Sequence, residues 1–221
     1  MADDSESRAA ERRGAILTAA IPLFAKGGFA GVEVDAIATA AGCAKGTIYR
    51  YFENKESLFR ACVDRVMNGL LEQTEAPGEP DLVRRIEFGV RAYLAYFEEH
   101  PEYIELLIQE RAGVRDRERP SFYEFQARRH AEAMPEIGAM MEAGRLRRMD
   151  PQRVLDVLGN VLYGTIFTNH FAGRTISLDV QAGTILRVVL VGLLTPVEAA
   201  AWLERTESGA DAPAEGGRDG G

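Results

Sequence analysis

Apolar side chains recur along this chain at intervals of three and four residues, the spacing of amphipathic helices rather than the alternation of half-buried strands. Ile16, Ala20, Leu23 and Phe24 share one stripe, which predicts a helix over residues 8–26 halted at Gly27 and Gly28. Pro22 lies inside that stripe and is expected to kink its last turns. Two short helices are expected near 34–41 and 45–52, then a longer one that follows Asn54, a good N-cap, and runs toward Thr74.

Residues 75–80, with Pro77, Gly78 and Pro80, read as a linker. Asp81 then caps a helix whose Val83, Ile86, Val90, Leu94 and Phe97 lie on one face. Pro101 opens another, carrying Ile104, Leu107 and Ile108. Arg115 to Arg119 reads as an exposed connection, and Pro120 starts a helix expected to bend or break at Pro135 and to end around Gly144. Asp150 and Pro151 form an N-cap and N1 pair for a helix to about Phe171. Residues 178–194 form the next helix, and Thr195, Pro196 and Glu198 spell a capping box for a last one ending near Glu207. The tail from Ser208 to Gly221 is rich in Gly, Ala, Pro and charge and is expected to be disordered, as is an arm over 1–7. The fold class predicted is all-α, in two parts: residues 8–74 and 81–207.

Composition narrows the setting. With 46% apolar and 27% charged residues the chain has an ordinary globular mixture. Its longest apolar run, Ile185 to Leu194, is interrupted by Arg187 and falls well short of the ~20 residues of a membrane helix. The acidic start has no apolar core and does not read as a secretory signal. Cys43 and Cys62 are too few for a disulfide framework. A cytoplasmic protein is expected. The net charge of −8 opposes binding to a polyanion, but it is unevenly spread. Arg8 to Arg65 carries nine Lys/Arg against six Asp/Glu, a net of +3, and the remainder carries −11.

Within the basic portion, Val34, Ile37, Ala38 and Ala41 fall on one helical face, and Gly42 stands where the chain must turn sharply. Cys43, Ile48 and Tyr51 supply the inward contacts of a second short helix. That is the plan of a helix-turn-helix. The step of about 100° per residue then puts Gly46 and Arg50 on the opposite face, with Thr47 at its edge. Gly46 permits close approach of the backbone to DNA, Arg50 suits a bidentate contact to guanine, and Thr47 suits a base edge or phosphate. Lys45 and Tyr49 flank this face and suit phosphates, as does Lys55 at the next helix start.

The run from Phe24 to Phe29, Ile37-Ala38, Ala41-Gly42, Lys45 to Phe52, Asn54-Lys55-Glu56 and Leu58-Phe59 resembles the TetR family signature over about residues 10–62. The resemblance implies a three-helix DNA-binding head, a helical C-terminal ligand-binding and dimerisation domain, a homodimer on double-stranded operator DNA, and release by a small-molecule effector. Carried over by position, it makes Lys45, Gly46, Thr47, Tyr49, Arg50 and Lys55 the DNA-contacting set. Two positions depart from the family's habit. Val32-Glu33 stands where Thr or Ser is common, and Ala44 stands where Ser is common, so two hydroxyls that cap a helix or bind phosphate are gone. Glu33 is expected to cap instead, and neither Val32 nor Ala44 is counted as a contact.

The middle helices offer Tyr93, Phe97, Tyr103, Phe122, Phe125, Gln126, Arg129, Tyr163 and Phe167 as lining for an apolar, aromatic cavity. Helix 151–171 offers Leu155, Leu158, Leu162 and Ile166 for dimer contacts, and helix 178–194 offers Leu186, Val189, Leu190 and Leu193. The latter helix is apolar on nearly every side and needs cover on all of them. His100, His130 and His170 share no ligand spacing, and no phosphate-loop, dinucleotide or nucleophile-elbow motif occurs, so neither metal, cofactor nor catalysis is expected. The same residues accommodate two other outcomes: a transcriptional activator, or an all-helical small-molecule-binding protein without DNA binding.

Overall fold

The computed structural model describes residues 2–113, 121–173 and 176–208. The expected connection at Arg115 to Arg119 and the tail beyond Ser208 lie outside them. Ten helices are found among the described residues: α1 (Ala2–Gly31), α2 (Val34–Ala40), α3 (Lys45–Tyr51), α4 (Lys55–Thr74), α5 (Leu82–Glu99), α6 (Pro101–Gly113), α7 (Ser121–Glu142), α8 (Pro151–Ala172), α9 (Leu178–Leu193) and α10 (Pro196–Glu207). Among the described residues one β-type bridge, Leu146 to Leu194, ties the α7–α8 connection to the end of α9.

Helix α1 departs most from the pattern. It begins at Ala2 rather than Arg8, because residues 2–7 carry almost no apolar residue for a periodic signal to register. Its one non-helical residue is Gly28 (φ 73°, ψ 156°), whereas Pro22 sits within the helix. The chain therefore bends at the glycine rather than at the proline, and helical geometry resumes as far as Gly31. Ser7–Gly31 is also long and apolar enough to match a membrane span by composition, which a search for unbroken apolar runs does not reveal. Its Ile16, Leu17, Ala20, Ile21 and Phe24 are buried against neighbouring helices.

Side-chain caps set several other helix starts. Asn54 Oδ1 accepts from the Ser57 N–H at 2.8 Å while Ser57 Oγ accepts from the Asn54 N–H at 3.1 Å, a reciprocal box that starts α4. Asp81 caps α5 and Asp150 caps α8 through their carboxylates. The capping box expected at Thr195 does not form: its side chain makes no cap bond. Glu198 instead lies 3.4 Å from Arg145, whose charge draws the carboxylate away from the helix start. Helix α7 runs through Pro135 without a break.

Phe24, Phe29 and Phe59 pack together at the centre of the first four helices, the rings of Phe24 and Phe59 meeting edge to face at 5.2 Å. These helices do not stand apart from the rest. Helix α1 packs along α6, and Gln109 Nε2 donates to the Phe24 carbonyl at 2.9 Å. Helix α4 packs on α5 and α7, and the Tyr96 hydroxyl donates to the Val66 carbonyl at 2.8 Å. Helix α5 runs between α4, α8 and α9.

Candidate nucleic-acid interface and ligand cavity

Helix α2 ends in a backbone conformation that favours glycine. Gly42 has φ +61°, its N–H donates to the Thr39 carbonyl at 3.1 Å, and the Cys43 N–H donates to the Ala38 carbonyl at 3.0 Å. This pair of bonds closes a helix on a left-handed residue. The chain reverses within Ala41–Ala44 and enters α3 at Lys45. Ala38 and Ile37 are buried beneath the turn, and Ile48 is 1% exposed on the inner side of α3. Cys43 and Tyr51, expected inward, are half-buried and pack against the core.

The opposite side of α3 is open. Gly46, Tyr49 and Arg50 are exposed, Thr47 is half-buried at the margin, and a methyl group placed on Gly46 would meet nothing within 4 Å. The Arg50 guanidinium lies 5.4 Å from the Tyr51 ring centroid, which directs it along the helix surface. Lys45 Nζ donates to Asp35 Oδ2 at 2.7 Å, and this bond raises the ammonium pKa above its usual value. Lys55 Nζ donates to the Ala30 carbonyl at 3.3 Å and lies 5.0 Å from the Phe29 ring centroid. Its charge therefore stands beside the bend in α1. At the start of α4 the Ser57 N–H is already taken by Asn54, so that end offers an anion fewer free donors than an uncapped helix. Glu33 flanks α2 without a side-chain cap bond, Ala44 does the same for α3, and Val32 is buried. Asp35 was not singled out in the sequence; it lies ten positions from Lys45, a spacing that no helical rule flags.

A cavity of about 430 Å³ opens between α5, α7 and α8. Tyr93, Phe122, Phe125, Gln126 and Arg129 line it, as expected from their chemistry, together with Leu155, Leu158 and Leu162 of α8. Four other aromatics lie elsewhere. Phe97 lines a separate recess with Ile166, Asn169 and His170. Tyr103 packs with Tyr96 and His100, at 5.3 and 4.6 Å between ring centroids. Tyr163 packs tilted against Phe122 at 4.1 Å and Phe167 at 4.4 Å between ring centroids, and its hydroxyl accepts from Arg111 at 2.9 Å. Tyr93 is 3% exposed, and among the described residues its hydroxyl has no partner, nor has the buried Nε2 of Gln126. Burial holds the Tyr93 phenol well above its ordinary pKa, so the hydroxyl remains protonated and able to donate.

Residues 16–62 match the sequence profile described as bacterial regulatory proteins, tetR family. The repressor SCO4008 of Streptomyces coelicolor is 37% identical over 95 residues, covering 43% of this chain and 47% of that protein. Residues 16–62 carry the DNA-binding region typical of the TetR family. The chain's aligned stretch spans less than half of the SCO4008 repressor. A longer alignment joins it to YhgD of Bacillus subtilis, an uncharacterised helix-turn-helix regulator, at 24% identity over 83% of this chain and 97% of that one. In three dimensions it resembles the fatty acid degradation regulator FadR of Bacillus halodurans, with TM-score 0.68 and 17% identity over 81% of this chain and 94% of the other, a likeness of fold.

Of the residues singled out for pairing two subunits, most are buried within the single chain and Leu158 and Val189 are half-buried. Leu186, Leu190 and Leu193 are buried within the protomer, as is Ile166, while Val189 is half-buried. Leu155, Leu158 and Leu162 face the cavity. A different stripe of α8 faces solvent: Val157 and Phe171 are 57% and 71% exposed, with exposed Gly164 and Thr168 and half-buried Val161 between them. On α9, Val180, Thr184 and Val188 are exposed, the last at 72%, with Asp179, Arg187 and Gly192 also open. An apolar helix shows many candidate faces in sequence, and only the packing of α5 against α9 tells which its own chain occupies.

Proposed function

We propose that this chain is a cytoplasmic, ligand-responsive transcriptional repressor that binds a palindromic operator as a homodimer and leaves it when a small-molecule effector fills the cavity. The observation that carries this reading is the exposed face of α3, on which Gly46, Tyr49 and Arg50 stand clear of the protein behind a glycine-closed turn. A face of that shape suits the major groove: Arg50 reads a guanine, Thr47 meets a base edge, and Lys45, Tyr49 and Lys55 fix the register on phosphates. The repressor name borne by SCO4008 supports the sign of the regulation.

The proposed release is a population shift, in which the effector favours the conformer whose two α3 helices no longer match successive grooves. Two connections support a link between cavity and head. The cavity wall includes Thr74 at the end of α4. Phe122 touches Tyr163, which is bonded to Arg111 on α6, and two positions earlier Gln109 holds the Phe24 carbonyl of α1.

A gel-shift assay on the DNA flanking the chain's own gene tests the reading. Specific binding lost on Arg50→Ala, with the dimer intact, is the expected result. Binding to none of that DNA, or equal binding by the Arg50→Ala protein, would favour a helical small-molecule-binding protein instead.

A further inference from the structure

The chemistry of the cavity wall says what kind of molecule it takes, and this inference rests on reading that cavity as the effector site. Its walls are apolar and aromatic, and its volume of about 430 Å³ falls among those of small-molecule pockets. Both lining arginines already have acidic partners. Arg85 pairs with Glu136 and donates to the Glu79 carbonyl at 2.7 Å, and Arg129 lies 3.4 Å from Glu132. Glu75 adds a further carboxylate to the lining. An anionic ligand thus finds no surplus of positive charge. Among the described residues, two buried polar atoms of the lining have no partner: the Tyr93 hydroxyl and the Gln126 Nε2.

A buried donor without a partner is costly, and natural interiors retain few of them. Here both belong to one cavity. An amide nitrogen can only donate, and a phenol hydroxyl donates readily. The Gln126 amide also has a seat shaped for it. It lies over Gly159 of α8, where a Cβ would come within 2.2 Å of Nε2.

We propose that the cavity binds an uncharged, largely apolar molecule of the ketone, ester or amide class, whose carbonyl oxygen accepts from the Tyr93 hydroxyl and the Gln126 amide. The hydrocarbon part fills the space among Phe122, Phe125, Leu158 and Leu162. Specificity follows from the donors: a hydrocarbon of the same shape leaves both unsatisfied. A carboxylate meets the acidic rim, and an ammonium, which cannot accept, leaves the Tyr93 and Gln126 donors unsatisfied.

Four bicyclic probes of nearly equal size separate these cases: tetralone, tetralin, tetrahydronaphthoate and tetrahydronaphthylamine. Each is titrated calorimetrically into the full-length protein without DNA. Tetralone is expected to bind about tenfold tighter than tetralin, the effect of satisfying buried donors, and tighter than either charged probe. Tyr93→Phe, which preserves the ring, and Gln126→Leu should each reduce that preference severalfold. Gly159→Ala, which displaces the amide, should do the same. Tightest binding of the acid or the amine overturns the proposal. So does a ketone preference that survives both donor substitutions, or binding of none of the four by folded protein. Because no DNA is present, a ketone preference in a chain that shifts no operator would count against the regulator reading alone.

Discussion

At the scale of single residues, the DNA-facing surface rests on local rules. Gly42 and Ile48 stand six positions apart, so a short-range pattern reveals both the turn and the inward side of α3. What pattern does not reveal is how a charge is already spent. Lys45 shares its proton-bearing nitrogen with Asp35, and Asp35 is 67% exposed beside the proposed DNA face. Replacing that carboxylate in Asp35→Asn releases Lys45 and removes a charge that repels phosphate. Operator affinity at low salt should rise severalfold, and the slope of log affinity against log salt should steepen by about one contact. Fluorescence anisotropy across a salt series measures both; an unchanged slope would mean that Lys45 does not reach a phosphate. The cavity was legible in part for a comparable reason. Tyr93, Phe122, Phe125, Gln126 and Arg129 were marked by chemistry alone, but Phe97 lies one turn from Tyr93 and opens on another recess. Chemistry identifies a suitable side chain, and only the angle between helices decides which space it meets.

At the scale of elements, helix ends show which sequence signals are decided locally and which by distant charges. Asn54 and Thr195 look alike as N-caps, yet only Asn54 bonds its helix; the Thr195 N–H is held by the Arg145 carbonyl and Glu198 by the Arg145 guanidinium, both from the α7–α8 connection. Asn54→Ala should therefore cost about 1 kcal/mol of stability, the usual worth of a working cap. Thr195→Ala should cost less than about 0.5 kcal/mol, the range of surface changes away from special features. Urea unfolding of the two variants compares them directly, and equal losses would show that Thr195 caps in solution. The bend of α1 teaches the same lesson from another side. Proline at position 22 is the stronger breaker in isolation, but the glycine at 28 bears the positive φ. The helices themselves were legible because their apolar stripes repeat over several turns.

At the scale of the whole molecule, one chain leaves an apolar stripe on α8 and α9 uncovered, and a second copy is the proposed cover. Val188→Asp, on a side chain 72% exposed, should give a folded monomer by sedimentation with its helical circular dichroism retained. Leu190→Asp, at a fully buried site, should instead destabilise the fold by about 3 kcal/mol or more. A dimer unaffected by Val188→Asp would place the interface elsewhere. Which face lies open was not legible from the sequence, since Val188 and Leu190 differ in packing and hardly at all in hydropathy. The central claim is that two copies of the α3 face read DNA together, and hydroxyl-radical footprinting of the operator complex tests it most directly. The account predicts two protected patches related by a two-fold axis, their centres about 34–36 Å apart, both erased by Arg50→Ala. A single patch, or protection that persists without the Arg50 side chain, would contradict it.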